Sequence, residues 1–505
     1  MARRILWTAL APLLMTTIPS APSTAAAADE AWSRTFGGWY DLWPTRVAAG
    51  PGGSRVYASI PDRRLLAFDA DTGTTLWERK SGGDRIYVSP GGGRLFLMHN
   101  YPFEVEAVDT VTGETLWTSR LQNPFDHWVK DDFAYRAVLD PSGRRIFVIG
   151  DWTSGKVTWG NCNDDCTYVP VFDWMTAAFR TRDGSVLWQR RYGCPKKCDD
   201  TVSHLALAGE GRTLVVGGDS DRYDGRLVGY DAASGKLRWE RALSWSPEWM
   251  SGNPKQPTVY ATGRGFRTVA MRQDGQVLWT GQHPSGVADA YATQVLSSPD
   301  GKHVWVGGTA NGDEFDPEAD LSVVSFAASD GALEWEATHD EGDGEDLWSL
   351  AADPSSSRLY AAGLSRTPGG PGWAGSEALA VAFDAADGTE AWSRTYDSGV
   401  TGESSDQFTS AAVAPDGSRV YVAGRFEGCC FLYGWPQARV VALDADENEH
   451  QDHREPNGDR GSAHRPLPPG SPCRAADSDV SRDISTITRQ RIGVNLAVEA
   501  PCHMA

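Results

Sequence analysis

Two short acidic runs contain the side chains best suited to binding a metal ion. One run spans residues 313–320, and the other spans residues 340–346 and includes two glycines. Carboxylate oxygens on loops that glycine makes flexible suit Ca²⁺. The predicted ligands are Asp313, Asp316, Asp340 and Asp343. Their spacing is not that of an EF-hand, and the sequence favours the alternative of a solvated acidic loop.

Cysteines form a second group that could do chemistry. Cys162 and Cys166 are separated by three residues, and Cys194 and Cys198 repeat that spacing. In an exported protein this pattern favours two disulfides, whose pairing the sequence does not assign. A tetrahedral zinc site with four cysteine ligands would use the same spacing.

Two further cysteines, Cys429 and Cys430, are adjacent in the chain. They predict either a strained local disulfide or bonds to Cys473 and Cys502 near the C-terminus.

An Asp-x-aromatic element stands before several predicted strands. As a set of ligands, these elements could bind a polar molecule or a cation. As structural elements, the aspartates would accept hydrogen bonds from nearby backbone N–H groups while the aromatic rings pack, and this second role is favoured. The elements are Asp41-Leu42-Trp43, Asp131-Asp132-Phe133, Asp289-Ala290-Tyr291, Asp346-Leu347-Trp348 and Asp406-Gln407-Phe408.

Common catalytic motifs are not apparent. The sequence shows no Ser-His-Asp spacing, no HExxH motif and no glycine loop of the phosphate-binding type. His127 and His204 lie in or near predicted loops without identifiable partners.

A repeated hairpin sets the positions of all these residues. Its clearest copy runs from Ala382 to Trp392, and an Asp-Gly pair between β-forming segments is a strong hairpin signal. An eighth copy begins at Ala442 and lacks its tryptophan. The repeat tryptophans are Trp77, Trp117, Trp188, Trp239, Trp279, Trp335 and Trp392, with a mean spacing of about 52 residues. With a second hairpin upstream in each repeat, this period is typical of four-stranded propeller blades.

The unfinished eighth repeat has a complement at the other end of the chain. Residues Glu30 to Phe36 match Glu390 to Tyr396 at six of seven positions. Pairing this first strand into the last blade would close the ring and remove an exposed sheet edge. The sequence therefore predicts an all-β fold, an eight-bladed β-propeller closed by its N-terminal strand, with the Asp-x-aromatic elements at the mouth of the central channel.

The hairpin resembles the tryptophan-docking repeat of quinoprotein-dehydrogenase-like β-propellers, Ala-x-Asp-x-x-Thr-Gly-x-x-x-Trp. Ala67, Asp69, Thr72, Gly73 and Trp77 match this pattern at every position. The second copy, residues 107–117, also matches fully, whereas later copies are looser. The resemblance covers about residues 30–446 and implies that each tryptophan packs between neighbouring blades.

The same resemblance implies a cofactor. In quinoprotein alcohol dehydrogenases a disulfide between adjacent cysteines lies against pyrroloquinoline quinone (PQQ), which suggests Cys429 and Cys430 as a cofactor-binding pair. In that family the pair belongs to an early blade, whereas here it falls in the last. The family's catalytic Asp, its Ca²⁺-binding Glu and Asn, and its quinone-contacting Arg cannot be placed on this sequence.

Charge and the chain ends indicate an exported protein. Residues 1–28 read as a signal peptide, residues 29–446 as the propeller and residues 447–505 as a mostly disordered tail. We expect a secreted monomer without a membrane span in its mature form. The formal charge of −20 argues against nucleic acid as a partner.

Loop lengths place the functional surface. The predicted B–C and D–A connections vary widely and share one face, where binding residues usually lie. One hypothesis is an exported, non-enzymatic propeller that binds a protein, glycan or cell-envelope ligand through this face. The other is a PQQ- and Ca²⁺-dependent dehydrogenase that oxidises an alcohol or sugar.

Overall fold

The computed structural model describes thirteen stretches of the chain. These are residues 29–37, 45–60, 64–123, 132–159, 167–193, 200–220, 224–282, 290–311, 319–341, 344–366, 375–398, 405–426 and 437–445. They fold into eight four-stranded antiparallel sheets, which are the blades of a β-propeller. The predicted signal segment, residues 1–28, and the predicted tail, residues 447–505, lie outside the described residues.

Blades 1 to 4 follow one another along the chain, each with strands A to D in order from the central channel outward. Blade 1 is β2 (Arg46–Ala49), β3 (Arg55–Ile60), β4 (Arg64–Asp69) and β5 (Thr75–Arg79). Blade 2 is β6 (Arg85–Val88), β7 (Arg94–His99), β8 (Glu104–Asp109) and β9 (Thr115–Arg120). Blade 3 is β10 (Phe133–Leu139), β11 (Arg145–Trp159), β12 (Thr167–Arg180) and β13 (Val186–Tyr192). Blade 4 is β14 (Thr201–Ala208), β15 (Thr213–Ser220), β16 (Asp224–Asp231) and β17 (Leu237–Leu243).

Blades 5 to 8 complete the circle. Blade 5 is β18 (Trp249–Gly252), β19 (Thr258–Gly263), β20 (Arg267–Arg272) and β21 (Val277–Gly281), with a short 3-10 helix (Arg264–Phe266) between β19 and β20. Blade 6 is β22 (Tyr291–Ser297), β23 (His303–Ala310), β24 (Asp320–Ala327) and β25 (Leu333–His339). Blade 7 is β26 (Glu345–Ala352), β27 (Arg358–Arg366), β28 (Ser376–Asp384) and β29 (Glu390–Tyr396). Blade 8 is β30 (Gln407–Val413), β31 (Arg419–Phe426), β32 (Gln437–Asp444) and the N-terminal β1 (Glu30–Gly37).

Ring closure follows the predicted pairing. β1 pairs with β32 in antiparallel register, with Glu30 opposite Leu443 and Arg34 opposite Val440. The indole of Trp32 is 6% exposed and packs with Phe68 of blade 1 and Tyr421 of blade 8. The first strand therefore completes the last sheet and also joins it to the first.

The repeat motif works as an inter-blade lock. In each copy the indole N–H of one blade donates to a carbonyl oxygen in the C–D turn of the next, as Trp77 Nε1 does to Thr110 O at 3.1 Å. The turn itself is held by its aspartate, since Asp109 Oδ1 accepts the N–H groups of Val111 and Thr112. The equivalent donors are Trp32, Trp117, Trp188, Trp239, Trp279, Trp335 and Trp392.

The glycine of the C–D turn is required for steric reasons. Gly113 has φ +74°, and a Cβ on it would lie 2.8 Å from Cε3 of Trp77. The neighbouring indole therefore lies flat on a residue that can carry no side chain.

The hydrophobic core lies between the blades, because each apolar cluster is formed by two adjacent sheets. For example, Val56 and Phe68 of blade 1 share a cluster with Val440 of blade 8.

One loop differs from its prediction. The B–C connection of blade 3 continues as a two-stranded ribbon, because β11 and β12 remain paired out to Trp159 opposite Thr167. Residues 152–159 and 167–172 contain many β-branched and aromatic residues, which favour strands.

Candidate functional site

Three carboxylates meet between blades 6 and 7 on the loop-rich face. Asp320 begins β24, Asp340 follows the end of β25, and Glu345 begins β26. One carboxylate oxygen from each lies within 4.8 Å of the others. The Glu345 N–H donates to Ala319 O at 2.7 Å, which ties the start of blade 7 to the B–C connection of blade 6. We call these three residues the acidic cluster.

Burial sets the electrostatics of the acidic cluster. The Glu345 residue is 0% exposed, and this burial, with repulsion from Asp340, raises the pKa of Glu345 to about 7 despite the favourable field of His339. Burial also raises the pKa of Asp320, and Asp340 adds to that shift. For His339, burial opposes protonation, but the contact of Nδ1 with Glu390 Oε2 at 2.9 Å outweighs it and raises the pKa. The cluster therefore favours anything that supplies positive charge.

The oxygens of Glu345 suit a hard cation. Oε1 accepts from Ser365 Oγ at 3.3 Å and from the Glu341 N–H at 3.4 Å. Oε2 is buried and has no hydrogen-bond partner among the described residues. A buried acceptor without a donor is costly, and Ca²⁺ coordinates such carboxylate oxygens readily. These residues would therefore fit a Ca²⁺ ion.

A second feature is a ring of eight side chains at one level of the central channel. The ring residue of every strand A has the same register with strand B, as Arg46 opposite Ser59 and Arg136 opposite Ile149 illustrate. We call this set the channel ring. Its members, from blade 1 to blade 8, are Arg46, Arg85, Arg136, His204, Trp249, Gln294, Ser349 and Ser410.

A sequence signal marks the channel ring. In seven blades the ring residue stands five positions before the proline of the A–B turn, as Arg85 does before Pro90. Only His204 had drawn attention from sequence, as a histidine without a partner. Aligning the repeats on the turn proline would have found the other members.

Comparison with known protein families decides what kind of propeller this is. The family model described as "Outer membrane protein assembly factor BamB", which is built on PQQ-like repeats, matches residues 61–159 and 175–421, about two thirds of the chain. The chain belongs to this BamB family of PQQ-like β-propellers. No curated protein sequence matches it.

Solved structures agree on the fold of this BamB-family chain. A quinohemoprotein alcohol dehydrogenase from Comamonas testosteroni is 12% identical with a TM-score of 0.53, covering 87% of this chain and 78% of its own. The C-terminal WD40 domain of Sif2 is 10% identical with a TM-score of 0.53, covering 83% and 99%. BamB from Moraxella catarrhalis is 13% identical with a TM-score of 0.48, covering 83% and 100%. At such identities the first two likenesses show the propeller fold alone.

One cavity of the BamB-family chain lies on the channel wall. It measures about 240 Å³ and lies against Trp249, Tyr291 and Trp348, with Asp346 as its charged residue. Ligand pockets usually measure about 300–1,000 Å³. PQQ carries three carboxylates, whereas no Lys or Arg is among the described residues that line this cavity. The cavity does not fit the cofactor, and we derive no step through it.

The cysteine predictions for this BamB-family chain stay predictions. The proposed disulfide cysteines Cys162, Cys166, Cys194 and Cys198, the adjacent pair Cys429 and Cys430, and the tail cysteines Cys473 and Cys502 lie outside the described residues. The disulfide, zinc and quinone alternatives are therefore all untested.

The favoured structural role of the Asp-x-aromatic elements is confirmed at one position of the BamB-family ring, where Asp406 Oδ2 accepts the Ser398 N–H at 2.6 Å. In the blade 3 element, the middle residue Asp132 accepts the Thr153 N–H at 2.7 Å. Phe408 is 0% exposed and packs against Tyr396. Asp346 instead pairs with Arg366 at 2.5 Å. Asp41, Asp131 and Asp289 lie outside the described residues.

Of the four metal ligands predicted for the BamB-family chain, the structure describes one. Asp340 belongs to the acidic cluster, whereas Asp313, Asp316 and Asp343 lie outside the described residues. Asp320 and Glu345 belong to the same acidic runs, but sequence reasoning did not choose them. Each begins a strand, and the strand start is what fixes its position beside the other.

Proposed function

We propose that this BamB-family propeller is an exported, non-enzymatic scaffold that binds a protein partner through its loop-rich face. The observation that carries the proposal is the difference between the two faces of the ring. Every A–B and C–D connection is a turn of four or five residues. The B–C connections span three to ten residues and the D–A connections five to twelve, and all of them lie on the opposite face.

Further features support this assignment. The paired ribbon of β11 and β12 continues from the same face, and an exposed strand edge is a common docking surface for another chain. The acidic cluster lies on that face, where a Ca²⁺ ion would hold the B–C connection of blade 6 against blade 7. The family description, an outer membrane protein assembly factor, names a protein that works with other proteins. Among the described residues, no helix is long and apolar enough to cross a bilayer.

Photocrosslinking tests the proposal directly. A benzophenone amino acid is placed at exposed Gln282 or Asn311 on the loop-rich face, and at exposed Glu114 or Asp183 on the turn face as matched controls. We expect a discrete protein adduct in the producing organism from the loop-face positions alone. Adducts only from the turn face, or equal adducts from both faces, would reject the proposal.

A redox assay tests the absence of catalysis. Purified protein is mixed with PQQ, Ca²⁺ and a redox dye, and alcohols or sugars are added. We expect no substrate-dependent dye reduction. Reduction of the dye would overturn the non-enzymatic assignment in favour of a quinone-dependent dehydrogenase.

A further inference from the structure

The channel ring has a structural role in part of the circle. Gln294, Ser349 and Ser410 each accept a backbone N–H from strand A of the following blade, at 2.8, 3.1 and 3.2 Å. These bonds join blades 6 to 7, 7 to 8 and 8 to 1. A side chain with an acceptor oxygen at this level therefore links neighbouring inner strands by a hydrogen bond.

An arginine at this position cannot accept the backbone N–H, because its guanidinium only donates hydrogen bonds. Between blades 2 and 3 the equivalent N–H, from Ala137, is accepted instead by the hydroxyl of Tyr87 at 2.8 Å. The arginines of blades 1 to 3 therefore do not accept the N–H that the ring residues of blades 6 to 8 accept.

Among the described residues, the hydrogen bonds of these three arginines go to uncharged groups. Arg46 Nη1 donates to Thr409 O at 2.8 Å, Arg85 Nη1 to Asp84 O at 3.3 Å and Arg136 Nε to Ser203 O at 3.3 Å, and all three acceptors are neutral carbonyls. The Nε atoms of Arg46 and Arg85 are buried and have no hydrogen-bond partner among the described residues.

Burial and mutual repulsion lower the pKa values of two of these arginines. Burial and then Arg85 lower the pKa of Arg136 to about 9. Burial, with repulsion from Arg85 and Arg136, lowers the pKa of Arg46, and Asp84 offsets this only in part. Burial and Arg136 also lower the pKa of His204. Like charges held together away from bulk water favour the arrival of a counter-charge.

Aromatic contacts with Trp249 hold Arg136 and His204 in place. The guanidinium of Arg136 lies 3.8 Å from the ring centre of Trp249, and the ring of His204 lies 4.9 Å from the same indole. A guanidinium that stacks on an indole keeps the N–H edge of its plane for a ligand.

We propose that Arg46, Arg85 and Arg136 form a binding site in the central channel for a small anion that carries carboxylate or phosphate groups. Planar guanidinium groups bind both kinds of oxygen in bidentate fashion. This anion site is independent of the proposed partner binding, since it uses none of the loop-face residues.

Calorimetric titration and thermal melting with two probes test the site. Inorganic phosphate and citrate are each added at constant ionic strength, with sodium chloride as the baseline. We expect saturable binding and a rise in melting temperature for at least one probe. The probe that binds more tightly shows whether the site prefers phosphate or carboxylate groups. Because the whole chain carries a formal charge of −20, weak surface binding of anions contributes little.

Matched variants locate the response. Arg85→Gln and Arg136→Gln should each weaken binding at least about tenfold, because each removes charge-assisted hydrogen bonds. Arg85→Lys should bind with intermediate affinity, since lysine keeps the charge but not the planar fork. The control is Arg182→Gln, an exposed arginine in a C–D turn, which should bind as the unmodified protein does.

A second readout separates binding from structure. In anion-free buffer Arg85→Gln should melt at the same temperature as the unmodified protein or higher, because it relieves repulsion. A purely structural arginine would instead destabilise when replaced. Absence of saturable binding by both probes, or equal binding by the unmodified protein and both glutamine variants, would overturn the proposal.

Discussion

Glu345 is the residue where burial and charge oppose each other most clearly in the acidic cluster. Its pKa of about 7 in the folded chain lies above the ordinary value of 4.5, so the folded state holds more protons than the unfolded state between these pH values. Stability contributed by this group is therefore present below about pH 4.5 and falls as the pH rises to 7 and beyond. The raised pKa of His339 acts in the same direction.

Replacing Glu345 with glutamine should remove this dependence. Without divalent cations, Glu345→Gln should be more stable than the unmodified protein at pH 8, by roughly 3 kcal/mol at most, because each pKa unit is worth about 1.4 kcal/mol. The two proteins should converge at about pH 4, where the carboxyl is protonated in both the folded and the unfolded state. Chemical denaturation across about pH 4 to 8 measures the difference.

Calcium should reverse the order at pH 8, since it supplies the positive charge that the acidic cluster lacks. The unmodified protein should gain stability with Ca²⁺, and Glu345→Gln should gain little. Glu114→Gln, which removes an exposed carboxyl on the turn face, is the control and should respond to Ca²⁺ as the unmodified protein does. An equal Ca²⁺ response in Glu345→Gln would exclude Glu345 as a ligand.

Residue-level chemistry was only partly predictable from sequence. The acidic runs contain all three residues of the acidic cluster, but which of their ten carboxylates come together depends on the positions of the strand starts. Burial of Glu345 depends on contacts with Ala319 and Ser365, which are distant in the chain. The arginines of the channel ring looked like ordinary strand residues until their common register was known.

At the scale of the element, the C–D turn glycine and the docked tryptophan form one unit. Gly113 needs its left-handed backbone and also the absence of a side chain beneath Trp77. Gly53, in an A–B turn, has nearly the same φ of +73° but nothing within 4 Å of the Cβ position. The pair therefore separates backbone strain from steric overlap.

We expect Gly113→Ala to destabilise the protein by about 2–4 kcal/mol, from backbone strain together with overpacking against the indole. Gly53→Ala should cost only about 1–2 kcal/mol, the strain alone. Urea denaturation followed by circular dichroism measures both. Equal losses in the two variants would mean that docking of the indole on the turn contributes nothing.

Strands and turns were the most predictable elements. The Asp-Gly or Thr-Gly pair and the tryptophan four residues further on specify a hairpin locally, as residues 107–117 show. The ribbon of blade 3 was missed because its pairing depends on two segments on either side of residues 160–166. Pairing across a longer connection has no comparable local signal.

At the scale of the whole molecule, the ring depends on one strand from the other end of the chain. The inner strands of neighbouring blades contact one another around the full circle, including β2 of blade 1 with β30 of blade 8. Blade 8 obtains its outer strand only from β1. The near-duplicate of residues 30–36 in residues 390–396 made this closure predictable, because both strands fill the same place in their blades.

Removing residues 29–37 should open this closure. The outer edge of β32 would lose its partner, and the cluster around Phe68 and Tyr421 would lose the indole of Trp32. An unpaired apolar edge promotes association, so we expect a lower melting temperature and concentration-dependent aggregation. Light scattering and thermal melting of the shortened and intact chains measure these effects.

A synthetic peptide of residues 29–37 should restore the shortened chain by adding the missing strand, with one peptide bound per chain. The same peptide with Trp32→Ala should bind at least about tenfold more weakly, because it loses the buried indole and the 2.9 Å hydrogen bond from Nε1 to Ala70 O. Fluorescence anisotropy of labelled peptides compares the two. Equal binding of both peptides, or a shortened chain that melts like the intact one, would show that β1 does not hold the ring closed.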